Sequence, residues 1–396
     1  MLLNRERSCV PVIYLDHNAI TPMRPEAKAA VVAALEIFGN PASVHAAGRA
    51  AREVLDRART KVATAIGALP GEIVFTSGAT ESAALAIRGV LGADHADRAG
   101  RDELVVTGVE HPCVLAVAET LRAEGQKVTV LPVDRRGIPD PEAARAAVTT
   151  RTSLVCAMVA NNETGVLLPV RELAALARDR GALFFTDAVQ AVGKIELDVR
   201  TLGADLLALT GQKFGGPRGA GALWVHGGLR LAPLLGGTQE RGRRAGTENL
   251  SGVAGLGAAI EAAVEHRDEE QRRIGALRDR LEAGILEACP GAVVNGARAP
   301  RLPGTLSITL PGTDAEALLI ALDLEGICAS AGSACHSGSA RPSPVLQAMG
   351  LTIAEARATL RLSLGWTSSS ADVEQALEAI PRLARQVRLA IPAIAG

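Results

Sequence analysis

Six polar side chains stand just beyond apolar runs of this sequence: Thr80, His111, Asn162, Asp187, Gln190 and Lys213. In "ALFFTDAVQ" an apolar run stops at Asp187, with Gln190 three residues on, and in "LALTGQKFGGPRGAGALWV" Lys213 sits in a turn flanked by glycines. Singly, each has an ordinary reading: a solvated loop lysine, a turn aspartate, a satisfied histidine. Together their chemistry fits one cofactor, pyridoxal phosphate. That group needs a lysine for a Schiff base, an acid to pair with its protonated pyridine nitrogen, a phosphate cradle and a side chain over the ring. Lys213 is the candidate attachment point and Asp187 the candidate pyridinium partner. Asn162 and Gln190 could hydrogen-bond the ring hydroxyl, and His111 could lie over the ring face. In "VFTSGATES" a strand and a glycine turn lead into Thr80-Glu81-Ser82 at a helix start, where free N–H groups favour a phosphate.

These residues need a scaffold that brings strand ends together. "EIVFTSG", "DELVVTG", "KVTVLPV", "TSLVCAMVA", "ALFFTD", "DLLALTG" and "GALWVH" read as strands, and "PEAARAAV" and "VRELAALARDRG" as helices, the second closed by a glycine cap. The alternation predicts an α/β unit with a mostly parallel sheet flanked by helices. In such sheets ligands bind beyond the carboxyl ends of the strands. The expected division is a large α/β domain over residues 20–252 and a smaller α+β domain made of residues 1–19 and 253–396. The second begins with one long helical pattern over 253–287.

Composition bounds the remaining choices. The 396 residues carry 42 Lys+Arg against 43 Asp+Glu, a net charge of −1, so no basic excess points to nucleic acid. Aromatic residues are only 2 % of the chain, which argues against a base-stacking platform. No apolar run has the length of a membrane span and the start lacks a secretory pattern, so a cytoplasmic protein is expected. Six cysteines without a C-x-x-C pair suggest reduced thiols rather than a disulfide framework or a zinc site.

Longer motifs then resemble a known family. "YLDHNAITP", "FGNPASVHAAGR", "IVFTSGATES", "EHPCVL", "NNETGV", "TDAVQAVGK", "GQKFGGPRGAGAL", "QERGRRAGTEN", "SAGSACHSGS" and "LRLSLG" follow the order found in cysteine desulfurases of the NifS/IscS type. These are class V, fold-type I pyridoxal-phosphate enzymes, and the resemblance spans nearly the whole chain. It implies that Lys213 holds the cofactor and that Thr80, Thr210, Gln212 and Thr247 contact its phosphate. The Thr247 position serves the other subunit, which implies a homodimer. Asn162 contacts the cofactor or substrate by the same likeness, and Arg361 grips the substrate carboxylate. Cys335, in "GSACHSG", matches the nucleophilic cysteine, and glycines 332 and 338 around it suit a moving sulfur carrier. The implied reaction takes sulfur from L-cysteine, leaves L-alanine and a Cys335 persulfide, and passes the sulfur to an iron–sulfur scaffold or another acceptor. The Cys335 thiol must lose its proton to attack, and either His336 or His111 could help it do so. The other cysteines, Cys113 among them, read as structural or incidental.

The chain departs from the family pattern in places. His17 stands where an Asn is usual, Gln212 where many members have His, Thr238 where Gly or His is common, and Trp366 where an Arg is frequent. None removes a residue of the covalent chemistry. The competing enzyme readings are a selenocysteine lyase, another class V carbon–sulfur lyase or an aminotransferase, the last having no need of Cys335. A scaffold that kept the fold and lost the cofactor is the non-enzyme alternative.

Overall fold

The computed structural model describes residues 12–93, 100–332 and 342–394, the last six without their side chains. Cys335 lies outside the described residues. Seven strands form the large sheet in the spatial order Ile73–Thr76, Gly221–Val225, Leu206–Thr210, Leu183–Asp187, Thr152–Cys156, Glu103–Thr107 and Lys127–Leu131. Gly221–Val225 runs antiparallel to both its neighbours, and the remaining pairings are parallel. The mostly parallel α/β sheet expected from the sequence is therefore present.

The central strand shows why these runs are continuously apolar. All five residues of Leu183–Asp187 are buried. Phe184 packs into the cluster on one face with Val155 and Leu207, and Phe185 into the cluster on the other with Leu154 and Leu206. Alternate side chains enter opposite cores because both faces are covered, so no polar alternation is possible. Truncating either ring to Ala would cost about 3–5 kcal/mol. The helix Val170–Asp179 ends as the sequence suggests. Gly181, at φ 71°, lets its own N–H reach the Arg178 carbonyl and that of Ala182 the Ala177 carbonyl, satisfying two of the last carbonyls.

A second, antiparallel sheet orders Ser330–Ala331, Thr359–Ser363, Thr305–Thr309 and Val293–Val294. Its core takes residues from both ends of the chain, including Leu15, Leu281, Leu306, Leu362 and Ile380. The helical stretch expected over 253–287 is two helices, Leu250–Glu265 and Arg267–Ala288. The break falls at His266, whose ψ of 0° leaves helical geometry before three acidic residues open the next helix. Val253, Leu256 and Ile260 of the first helix lie in a cluster of the large sheet, whereas Leu277 and Leu281 of the second lie in the small unit's core. No helix among the described residues is long and apolar enough to cross a membrane.

Candidate active site

The parallel strands Ile73–Thr76, Leu206–Thr210, Leu183–Asp187, Thr152–Cys156 and Glu103–Thr107 all end on one edge of the large sheet. A cavity of about 500 Å³ opens there. Nine of the residues singled out in the sequence line it: Thr80, His111, Asn162, Asp187, Gln190, Thr210, Gln212, Lys213 and Arg361. Thr247 does not line it and is exposed.

The floor is set by Asp187. Its Oδ1 accepts the Val189 N–H at 2.9 Å. Burial pushes its carboxyl up to about 6, against the pull of that N–H and of the Lys213 charge. Lys213 closes a single turn, Gly211–Lys213, that leaves the strand Leu206–Thr210. Its Nζ donates to the carbonyl oxygens of Asn18 and Ala19 at 2.8 and 2.6 Å. His111 caps the helix Pro112–Ala123, with Nδ1 accepting the Cys113 N–H at 3.2 Å. Burial, then the nearby Lys213 charge, pulls this imidazole down to about 4, so it is neutral at pH 7.

The Thr80 end of the cavity is shaped by two glycines. Gly78 caps the helix Ala79–Leu91 at φ 153°, a conformation side chains reject. At Gly221 a Cβ would stand 2.7 Å from Gly78 Cα, so the strand and the helix start can approach only as glycines. Thr210 Oγ1 lies 3.2 Å from Gln212 Oε1. That contact occupies the oxygen of the Gln212 amide and leaves its NH₂ to donate elsewhere.

Arg361 belongs to the small sheet, in Thr359–Ser363, yet reaches the same cavity. Nη2 pairs with Asp16 at 2.8 Å, Nη1 donates to the Asn162 carbonyl at 3.2 Å, and Nε is buried without a partner. Asn162 Oδ1 is likewise buried without a hydrogen-bond partner. A buried unmatched acceptor and donor in a cavity wall are costly unless a ligand meets them.

The structure adds residues that the sequence reading left aside. Asn18 receives Lys213 and Gln190 on its carbonyl, receives Lys194 on its side-chain oxygen, and donates to Asn162. Gln190, expected on the ring hydroxyl, thus commits one amide proton to Asn18. Cys113 lines the cavity instead of being incidental, its Sγ 3.0 Å from His111 Nδ1. Burial, then the Asp187 charge, pushes that thiol up to about 12, so it is no thiolate at neutral pH. Glu163 is buried and accepts the Ser343 hydroxyl at 2.5 Å, and a Cβ on Gly332 would lie 2.6 Å from the same carboxylate. Residues 332 and 343, which flank the segment holding Cys335, therefore meet at one side chain.

The family profile for aminotransferase class-V matches residues 13–376. A cysteine desulfurase of Gluconacetobacter diazotrophicus is 46 % identical over 380 residues, covering 95 % of this chain and 94 % of the relative. Among solved structures, a NifS-like protein superposes with a TM-score of 0.87 at 32 % identity, covering 95 % of this chain and 100 % of that one. SspA, solved in complex with cysteine, gives 0.77 at 32 % identity, with coverage of 89 % and 98 %. The chain belongs to the class-V aminotransferase family, among its cysteine desulfurases of the NifS/IscS type.

Proposed function

We propose that the protein uses pyridoxal phosphate to take sulfur from L-cysteine, giving L-alanine and a persulfide on Cys335. The observation that carries the reading is the convergence of Lys213, Asp187 and Arg361, from three separate strands or turns, on one cavity with an unmatched Asn162 oxygen. When bound, the cofactor supplies an electron sink for the charge left at the substrate Cα. Lys213 Nζ is the attachment point and afterwards the base that moves the Cα proton. Asp187 holds a proton on the ring nitrogen by charge. Neutral His111 lines the same cavity and adds no positive charge that would oppose that proton. Arg361 orients the substrate carboxylate through charge-assisted hydrogen bonds. The N–H groups ahead of Thr80 and the Gln212 NH₂ would hold the phosphate, and the Thr210 hydroxyl, by donating to Gln212 Oε1, orients that amide toward it.

Cys335 receives the sulfur. Its Sγ forms a bond to the substrate sulfur as the Cβ–S bond breaks, and the electron pair of that bond stays on the carbon skeleton that leaves as alanine. An iron–sulfur scaffold or another thiol acceptor then takes the sulfur. A homodimer suits the exposed Thr247, and the exposed apolar side chains of Leu35, Phe38 and Val44 support a subunit contact on the N-terminal segment.

The test has two readouts. Reconstituted protein should show the visible band of a lysine-bound cofactor, and borohydride reduction should fix the label on Lys213. After L-cysteine, mass spectrometry should find one added sulfur on the peptide carrying Cys335. Label on another lysine, or a protein that binds no cofactor, sinks the reading. Lys213→Ala should lose attachment and turnover, and Asp187→Asn should stay folded while losing most of its rate.

A further inference from the structure

Lys194 is a partly buried lysine four residues beyond Gln190, and the proposed reaction gives it no part. Its Nζ donates to Gln190 Oε1 at 2.7 Å and to Asn18 Oδ1 at 3.1 Å. Among the described residues no carboxylate forms an ion pair with it. The charges that act on it are cations, Lys213 and Arg361. On its other side it lines a small cavity with His17, Arg24, Arg267 and Glu270. His17 is held neutral, burial and the Lys194 charge pulling it down to about 3. Glu270 is spoken for by Arg24 at 2.7 Å. Burial, then Lys213 and Arg361, pulls the Lys194 ammonium down to about 7.

The chemistry of the partners fixes one amide without ambiguity. Nζ carries N–H donors whether or not it is charged, and the Gln190 atom 2.7 Å from it is the oxygen. The Asn18 carbonyl only accepts, so the Gln190 atom 2.9 Å from it is the nitrogen. That nitrogen has a second proton, and Gln190 lines the active cavity. Without Lys194 the amide would lose its restraint on the oxygen side and keep only the Asn18 carbonyl on the nitrogen side.

We propose that Lys194 is a positioning residue: by holding Gln190 Oε1 and Asn18 Oδ1 it locks Gln190 so that an N–H, never the oxygen, faces the cofactor ring. The proposal rests on the pyridoxal-phosphate reading given above. A fixed donor stabilises negative charge on the ring oxygen. The nitrogen that links Lys213 to the cofactor then holds its proton less tightly. Losing the lock should therefore raise the pH at which this nitrogen deprotonates.

The experiment is a pH titration of the visible absorbance of cofactor-loaded protein, with loading measured separately by alkaline release of the cofactor. Lys194→Met should load cofactor and shift the transition upward by about one pH unit, the size of one net hydrogen bond. Gln190→Leu should shift it in the same direction. The double variant should match Gln190→Leu alone, because the lysine acts through the amide. An unmoved transition in Lys194→Met, or additive shifts in the double variant, overturns the proposal, the latter showing that bare charge does the work. Should Lys194→Met fail to load, an unmoved transition in Gln190→Leu overturns it equally. A wild-type protein with no visible band refutes the cofactor reading instead, which is a different result.

Discussion

Arg361 Nη2 and Asp16 Oδ1 stand 2.8 Å apart, so a guanidinium facing the active cavity is already half engaged by a carboxylate of its own chain. Arg361 is buried, on the small sheet, and Asp16 bridges to that sheet at Ser363. The pair keeps the cation oriented while leaving Nε unmatched. An incoming substrate carboxylate would then share the guanidinium with a like charge. Arg361→Ala should raise KM for L-cysteine by about 10- to 100-fold, the loss of charge-assisted hydrogen bonds, with a smaller change in kcat. Asp16→Asn keeps an oxygen toward Arg361 and removes the competing charge, so KM should fall by about two- to fivefold, within the range of one modest charge interaction. Steady-state kinetics decide both, and an unchanged KM in Arg361→Ala removes the carboxylate assignment.

Glu110 is fully buried directly ahead of His111. Its Oε1 accepts the Thr107 hydroxyl at 2.6 Å and the Met158 N–H at 2.8 Å, while Oε2 has no partner. Burial pushes its carboxyl up to about 8, those two donors pulling the other way. The folded protein thus keeps a proton that the unfolded chain releases near the ordinary glutamate value. Between that value and about 8, unfolding releases a proton, so Glu110 makes stability fall as pH rises. Glu110→Gln removes the ionisation and keeps the shape. Its melting temperature relative to wild type should climb steadily from pH 5 to pH 8, about three pH units in all. A difference that stays flat with pH means that Glu110 is already ionised in the fold.

Much of this site was legible because strand ends announce themselves. Asp187, Lys213, Asn162 and His111 each follow an apolar run, and the parallel order of the strands puts all those ends on one edge. Partners distant in the chain were not legible. Asn18 meets Lys213 across 195 positions and Asp16 meets Arg361 across 345, and no local pattern encodes such contacts. Lys194 looks like any lysine after a glycine until Gln190 and Asn18 are seen around it. The two-helix break at His266 was hidden for another reason: Ala, Glu and Arg favour helix on both sides, and only the change of core from one cluster to the other shows where the chain turns.

Cys113 is the described thiol that lines the active cavity, and this makes it the rival to Cys335. Its sulfur stands 3.0 Å from His111 Nδ1, and burial, then the Asp187 charge, pushes the thiol up to about 12 against a pull from the Thr80 side chain. A thiol in that state is a poor nucleophile, because attack requires the thiolate. Cys113→Ala should therefore leave the persulfide yield after L-cysteine within about twofold of wild type, whereas Cys335→Ala should abolish it and still bind cofactor and substrate. Peptide mass spectrometry reads the position of the added sulfur. Sulfur on the peptide bearing Cys113 would reassign the nucleophile.

Gln212 stands where many relatives by resemblance carry a histidine, and its surroundings say what it can offer. Its backbone carbonyl accepts the Thr21 N–H at 3.0 Å, which pins the residue, and its side-chain oxygen faces the Thr210 hydroxyl at 3.2 Å. The amide NH₂ is left as a donor in the cavity wall. A neutral hydrogen bond contributes about 0.5–1.5 kcal/mol net, and on the proposed reading the N–H groups of the helix start at Ala79 would share the same anion. Gln212→His should thus hold cofactor affinity and turnover within about tenfold, the equivalent of about 1.4 kcal/mol. Gln212→Leu keeps the bulk and removes the donor, so it should weaken cofactor retention more than it slows turnover of protein kept saturated with cofactor. Equilibrium dialysis against pyridoxal phosphate measures the first and saturated kinetics the second. If Gln212→Leu retains full occupancy and loses turnover, the side chain acts at the reacting carbon and its assignment to the phosphate falls.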